Sequence, residues 1–190
     1  MFVANHGSRY TPMGERPPGM PEHWPQGRDT GRTPGSGNFT PASITVYPWR
    51  SSGNIPPIRV IQGPRTMLNW PATLFVDEQR GELYVANDAG DSILVFDIDA
   101  DGDVAPKRAV MGPQTGLKYP TGVFVDLQND ELWVSNMGNH SATVYPRTAD
   151  GNVTPLRTIR SAPEGKLALS IGNPGAAEYD TLRDEILVPN

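Results

Sequence analysis

Short apolar segments alternate with polar turns along most of the chain. Four consecutive examples combine apolar, β-branched and aromatic residues, and Gly, Asp, Asn or Pro lies between them: a (Thr73–Asp77), b (Glu82–Asn87), c (Ser92–Asp97) and d (Lys107–Met111). Segments of this length bounded by turn residues predict β-strands, whereas a helix needs a longer segment with a 3.6-residue period. The pattern therefore predicts an all-β protein.

The four-strand pattern repeats every 49 residues. Ser43-Ile-Thr-Val-Tyr47 returns as Ser92-Ile-Leu-Val-Phe96 and as Ser141-Ala-Thr-Val-Tyr145. The same spacing relates the turn glycines, the prolines after them and the arginines of strand d: Gly53, Gly102 and Gly151; Pro57, Pro106 and Pro155; Arg59, Arg108 and Arg157. A period of 40–50 residues with four strands is typical of a β-propeller blade.

The a–b segment occurs three times, at residues 70–87, 119–136 and 173–190. The third copy begins about five residues later than the period requires, which indicates an insertion near residues 161–171. From residue 43 onward the repeats give twelve predicted strands, or three blades. Three blades are too few to close a ring, since propellers typically use about four to eight.

Two outcomes would protect the open blade edges. Two copies of the chain could form a six-bladed ring in which the last strands of one copy complete the first blade of the other. Alternatively, the chain belongs to a longer polypeptide or docks on a different propeller half. Phe2–Asn5 resembles Tyr84–Asn87 and so predicts an extra strand b, which counts against the first outcome because Leu187–Asn190 would need the same place.

The blades resemble the NHL-repeat family of β-propellers over residues 43–190. The matching features are Pro71, Pro120 and Pro174, the Val-Asp ends at Asp77 and Asp126, the strands ending at Asn87 and Asn136, and the turn at 138–141. The resemblance implies a propeller that serves as a binding platform or scaffold, or in some cases as a lactone or ester hydrolase. It slightly favours a periplasmic or extracellular location, although residues 1–9 lack a signal-peptide pattern and leave the compartment open.

Residues 1–42 form a separate region that contains seven Pro and seven Gly. Such a segment cannot build its own core, so it is either a flexible tail or an extended arm laid on a partner or on the blades. In the second case Tyr10, Trp24 and Phe39 are the anchors that would bind a partner.

Composition narrows the range of functions. The net charge of −5 argues against nucleic acid, which requires a basic surface. The absence of Cys excludes disulfides, thiolate metal sites and a Cys nucleophile. No apolar run approaches the roughly 18 residues of a membrane span.

Asn87, Asn136 and Asn190 end successive b strands and are candidates for a propeller channel. Amide oxygens facing the channel could bind Ca²⁺, as the resemblance to six-bladed hydrolases implies. The alternative is structural, with each Asn capping a turn and satisfying backbone groups.

Asp97, Asp99, Asp101 and Asp103 alternate with other residues and have Gly102 at the sixth place, like the calcium loop of an EF-hand. Arg108 occupies the twelfth place, where that loop needs a bidentate Glu. The segment aligns with the c–d turns of the other blades, so it is first a hairpin turn and second a candidate weak Ca²⁺ site.

These observations favour a non-enzymatic β-propeller subunit that acts as an interaction scaffold in a larger assembly, without a required cofactor. The partners would be proteins or a second copy of the chain. The alternative is a calcium-dependent, lactonase-like hydrolase with its metal in the channel.

Overall fold

The computed structural model describes residues 1–6, 41–160 and 166, and residues 175–187 except 177, 181 and 184. These residues form three antiparallel sheets and a β-hairpin, with no α-helix among them. The all-β prediction and the blade pattern are confirmed, and the three sheets do not close into a ring. The described residues also contain three short 3₁₀ helices, Pro64–Thr66, Asp88–Gly90 and Met137–Asn139. None of the helices in this part of the chain has the length and apolar character of a membrane span.

Each sheet follows the order of its strands along the chain. The first contains β1 (Phe2–Asn5), β2 (Ser43–Val46) and β3 (Arg59–Gln62). The second contains β4 (Pro71–Asp77), β5 (Glu82–Asn87), β6 (Ser92–Asp97) and β7 (Arg108–Met111). The third contains β8 (Pro120–Asp126), β9 (Glu131–Asn136), β10 (Ser141–Pro146) and β11 (Arg157–Ile159). The hairpin is β12 (Glu178–Asp180) with β13 (Glu185–Leu187).

The predicted strand limits need two small changes. Strand a of the second blade begins at Pro71 rather than Thr73, and strand d begins at Arg108 rather than Lys107. The Asp residues that end strand a hold the turns that follow: Asp77 accepts a hydrogen bond from Arg80 N, and Asp126 accepts from Gln128 N and Asn129 N.

β1 confirms the strand predicted at Phe2–Asn5. It pairs with β2 in the register that β5 uses on β6, so that Asn5 lies opposite Ser43 as Asn87 lies opposite Ser92. β1 therefore fills place b of the first blade. A six-bladed ring of two copies, in which β13 of one copy forms strand b of the other copy's first blade, would therefore require β1 to leave this position.

Two apolar cores lie between neighbouring sheets rather than within them. Alternate residues of β5 point in opposite directions, as the two-residue period of a strand requires. Leu83 and Val85 pack toward the first blade with Ile44 and Ile61, while Tyr84 and Ala86 pack toward the third blade. Each blade is thus stabilised mainly by burying its faces against its neighbours.

The inner strands β4 and β8 lie side by side and share a polar contact. Thr73 Oγ1 donates to Thr121 O at 2.9 Å and accepts from Val123 N at 3.1 Å. The rings of Phe75 and Phe124 meet edge to face, with centroids 5.3 Å apart. These contacts align the a strands of adjacent blades.

Replacing Thr73 with Val should remove both hydrogen bonds while keeping the shape of the side chain. We expect the free energy of unfolding, measured by urea titration, to fall by about 2 kcal/mol, because two backbone groups lose their partner. Thr158→Val on exposed β11 is the matched control and should change it by less than about 0.5 kcal/mol. Equal effects of the two variants would contradict this role for Thr73.

Candidate interaction site at the blade joints

The c–d turn of the second blade is attached to the outer strand of the first. Gly102 N donates to Val60 O at 2.8 Å, and Gly102 O accepts from Gln62 N at 3.2 Å. On either side of this glycine, Asp101 Oδ1 accepts from Val60 N at 2.9 Å and Asp103 Oδ1 accepts from Arg65 N at 2.7 Å. We call this arrangement the clasp: a turn glycine and its two neighbours bonded to the preceding blade.

The third blade repeats the clasp on the second. Gly151 N donates to Ala109 O at 2.9 Å, and Gly151 O accepts from Met111 N at 3.1 Å. Asp150 Oδ1 accepts from Ala109 N at 3.0 Å, and Asn152 Oδ1 accepts from Gln114 N at 2.8 Å. Asp and Asn serve equally at the last position because each offers an acceptor oxygen.

The first blade carries the same turn as Ser52, Gly53 and Asn54. Gly53 has φ 77°, close to the 73° of Gly102 and of Gly151. All three residues of this turn are exposed, and within the described residues they make no hydrogen bond to another blade. The first blade therefore presents a clasp whose partner strand is not among these residues.

The sheet face beside this turn also has no neighbouring blade among the described residues. In the second blade Val85, Leu94 and Phe96 are fully buried against the first blade, with Ala109 packed beside them. Their equivalents in the first blade are only half-buried: Val3, Thr45, Tyr47 and Val60. We call these four residues, together with the clasp at 52–54, the open face.

Trp49 extends the open face. Its equivalents both contact the preceding blade: Ile98 O accepts from Arg59 Nη1 at 2.8 Å, and Arg147 Nε donates to Asp77 Oδ2 at 2.7 Å. Trp49 itself is 77% exposed, and the guanidinium of Arg50 lies 4.4 Å from its ring centroid. A large exposed aromatic beside unused backbone groups is typical of an interface anchor.

Between the second and third blades, charged side chains are buried in pairs. Arg108 donates to both carboxylate oxygens of Glu82, at 2.7 and 2.8 Å. This bonding lowers the pKa of Glu82 to about 2 despite its burial. Tyr84 OH donates to Arg147 O across the joint, and burial followed by the Glu82 charge raises the pKa of Tyr84 to about 12. Each arginine of strand d lies beside an acid: Arg59 beside Asp99, Arg108 beside Glu82 and Arg157 beside Glu131.

The acidic loop is placed in the first joint. Asp101 and Asp103 hold backbone N–H groups of the first blade, Asp97 accepts from Asp99 N, and Asp99 lies 3.6 Å from Arg59 Nη1. Among the residues that the structure describes, no group of three His, Cys, Asp or Glu side chains is arranged to hold a metal ion. The described loop therefore offers a hydrogen-bonding role and no assembled cage for Ca²⁺.

The Asn candidates lie where strand b meets the loop before strand a. Asn87 Oδ1 accepts from Asn69 N at 2.6 Å and its Nδ2 donates to Ser92 Oγ at 2.9 Å. Asn136 Oδ1 accepts from Lys118 N at 3.2 Å, and its Nδ2 donates to Thr143 Oγ1 at 3.0 Å. Both are buried and tie the loop to the blade. Asn190 and the arm residues Tyr10, Trp24 and Phe39 lie outside the described residues.

The position after these Asn residues differs among the three described blades. It holds His6, Asp88 and Met137, and His6 stacks on Trp70 with centroids 5.5 Å apart. Burial, with a contribution from the charge of Asp91, raises the pKa of Asp88 to about 6. In the sequence, a residue that is not repeated directly after a repeated Asn marks a position where the blades can differ in chemistry, because the repeated residues serve the common structure.

Comparisons with known proteins support the fold. No family model matches the sequence, and none of the curated proteins is significantly similar to it. The chain is similar to hydrazine synthase of Kuenenia stuttgartiensis, with TM-score 0.54 and 16% identity over 77% of this chain and 35% of that one. It is also similar to a functionally unknown protein from Desulfotomaculum acetoxidans DSM 771, with TM-score 0.54 and 16% identity over 80% of this chain and 42% of that one.

The chain thus spans less than half the length of either of these structures. Likeness at 16% identity shows the fold alone. The NHL-repeat resemblance stays a prediction, because no family model bears on it.

Replacing Glu82 with Gln should destabilise the protein at pH 7 by about 2 kcal/mol, because buried Arg108 loses its charged acceptor. A depressed carboxyl pKa stabilises the fold above the unfolded value near 4.5 and loses that effect as pH falls toward 2. The difference between wild type and variant should therefore shrink over that interval, as measured by urea unfolding at several pH values.

Glu131→Gln is the matched control, 49 residues further on. Its partner Arg157 is 50% exposed, so the loss should stay below about 1 kcal/mol. Equal losses in the two variants, or no pH dependence for Glu82→Gln, would contradict the role assigned to burial.

Proposed function

We propose that the chain is a non-enzymatic β-propeller interaction subunit that joins a larger assembly through its blade edges. The observation that carries this proposal is the open face of the first blade. At the two complete joints, the equivalent positions bury side chains and form backbone hydrogen bonds with a neighbouring blade. On the open face these positions have no neighbouring blade among the described residues. The natural occupant of such a surface is a protein that supplies further blade structure.

The physical basis of the proposal is the burial that each joint provides. Val85, Leu94 and Phe96 are each 0% exposed in the second blade, and removing that many side chains from water stabilises a joint by several kcal/mol, at about 25 cal/mol per Å². The equivalent half-buried surface on the first blade, which no described blade covers, is a source of binding energy for a partner. Unpaired backbone beside it would promote nonspecific pairing if it stayed uncovered.

The hairpin β12–β13 provides a second place for growth. It pairs only with itself among the described residues, and β12 lies beside β8. A hairpin at places a and b is half a blade, which a c–d pair would extend. Assembly at either side would use main-chain hydrogen bonds for affinity and side-chain pockets for specificity.

Calcium-dependent hydrolysis is the second candidate, and Asp88 is the observation in its favour. Its carboxylate is half-buried after strand b and makes no hydrogen bond within the described residues. The described residues nevertheless fit a metal poorly, since no third ligand group accompanies it. We therefore assign no chemical step to a metal. Elemental analysis of purified protein separates the two candidates, because only the hydrolase requires tightly held calcium.

A direct test is the native mass of the chain recovered, under non-denaturing conditions and with an affinity tag, from cells that produce it. We expect a specific complex heavier than the 20.6 kDa of one chain. Trp49→Ala should strongly reduce the yield of that complex, because large aromatics dominate interface energetics.

Leu127→Ala is the control variant, since Leu127 is 40% exposed in a turn of the third blade away from the open face. Its complex should form as in wild type. A folded monomer recovered from those cells, or equal loss in both variants, would argue against the interaction role.

A further inference from the structure

We propose that the clasp of the first blade binds the outer strand of another propeller blade, and that it selects a strand followed by glycine. This inference rests on the proposed function and names the chemistry of the partner. The partner is a β-strand with free backbone N–H and C=O groups and a glycine at the position that Gly63 and Gly112 occupy in the two complete joints.

The requirement for glycine comes from the two complete joints. Gly63 has φ 135° and Gly112 has φ 126°, a region that residues with a side chain rarely adopt. A Cβ on Gly63 would lie 2.4 Å from Asp103 Cγ, and one on Gly112 would lie 2.5 Å from Asn152 Oδ1. The side chain at the end of each clasp therefore fills the space that glycine leaves.

The first blade keeps the features that create this requirement. Asn54 matches Asn152, whose amide oxygen accepts the N–H of Gln114, and Gly53 repeats the left-handed conformation of Gly102 and Gly151. Ser52 replaces an Asp, and its hydroxyl can still accept a strand N–H, although without the charge. The clasp of the first blade thus has the turn glycine and the two acceptor side chains that the other clasps use, and it lacks only a bound strand among the described residues.

The glycine requirement also distinguishes a strand from a second copy of the chain from a strand of a different protein. By the 49-residue spacing, Ser161 is the sequence equivalent of Gly63 and Gly112. The outer strand of a second copy's third blade therefore fits the clasp less well than a glycine-bearing strand. We infer that the occupant is a blade of different sequence, which makes this joint a contact between unlike blades.

The test uses the full chain and synthetic octapeptides as strand probes. The first peptide copies Arg59–Thr66 (RVIQGPRT), the second is the same with Gly63→Ala, and the third copies residues 157–164 (RTIRSAPE). Binding is followed by NMR through the amide signals of Gly53 and Asn54 and the indole N–H of Trp49. We expect the first peptide to bind about tenfold more tightly than the other two, since placing a side chain at such a φ is strained.

Asn54→Ala in the full chain should reduce the difference between the glycine and alanine peptides, because the clash with the Asn54 side chain is removed while the strain of a side chain at positive φ remains. The control Asn129→Ala, in a distant turn, should leave the difference unchanged. Absence of binding by the glycine peptide, or binding elsewhere than at residues 49–54, overturns the inference. Equal binding of the three peptides overturns the glycine selection.

The outcome is separable from that of the proposed function. A complex of native mass with no preference for the glycine peptide would sink this inference alone. A lone monomer in the native-mass experiment, together with selective peptide binding, would sink the assembly role and leave the strand-binding clasp standing.

Discussion

The joint between neighbouring blades is the constraint on which the rest of this structure depends. None of the described sheets has a core of its own, because the two apolar cores lie between neighbouring sheets. Burial alone does not fix how two blades are positioned, and the clasp does so, because Gly102 and Gly151 each form backbone hydrogen bonds at one defined point of the preceding outer strand. Packing supplies most of the stability, while the hydrogen bonds fix the register in which blades meet.

The first blade lacks such a joint on one of its faces within the described residues. Val3, Thr45, Tyr47 and Val60 have the positions of joint residues but not their burial. Trp49 lies where Ile98 and Arg147 reach the preceding blade. The interaction role follows from this mismatch between position and environment and does not depend on any single reactive group.

The repeated residues and the unrepeated ones perform different tasks. Asn87 and Asn136 hold equivalent loops through equivalent bonds, so their repetition reflects structure. Directly after them, Asp88 and Met137 differ in chemistry, and burial, with a contribution from the charge of Asp91, raises the pKa of Asp88 to about 6. Any chemistry specific to this chain is better sought at such unrepeated positions than among the repeated Asp and Asn residues.

The sequence allowed the blades, their period and the strand at Phe2–Asn5 to be predicted, because strand and turn preferences act over a few residues and the period made them consistent. It did not reveal what the acidic loop holds. Asp101 and Asp103 look like metal ligands locally, yet one carboxylate oxygen of each accepts an N–H group about 40 residues earlier, a contact that only the fold creates. Trp49 was missed for the same reason, although its alignment with Ile98 and Arg147 was available from the 49-residue spacing.

Amide hydrogen exchange at three equivalent glycines tests the central claim most directly. Gly102 N and Gly151 N are bonded across joints, at 2.8 and 2.9 Å, and should exchange slowly in the isolated chain. Gly53 N should exchange rapidly in the isolated chain and slowly once the native complex has formed. Equally slow exchange at all three glycines in the isolated chain, or a Gly53 that stays unprotected in the complex, would contradict the claim that the first blade carries an open joint.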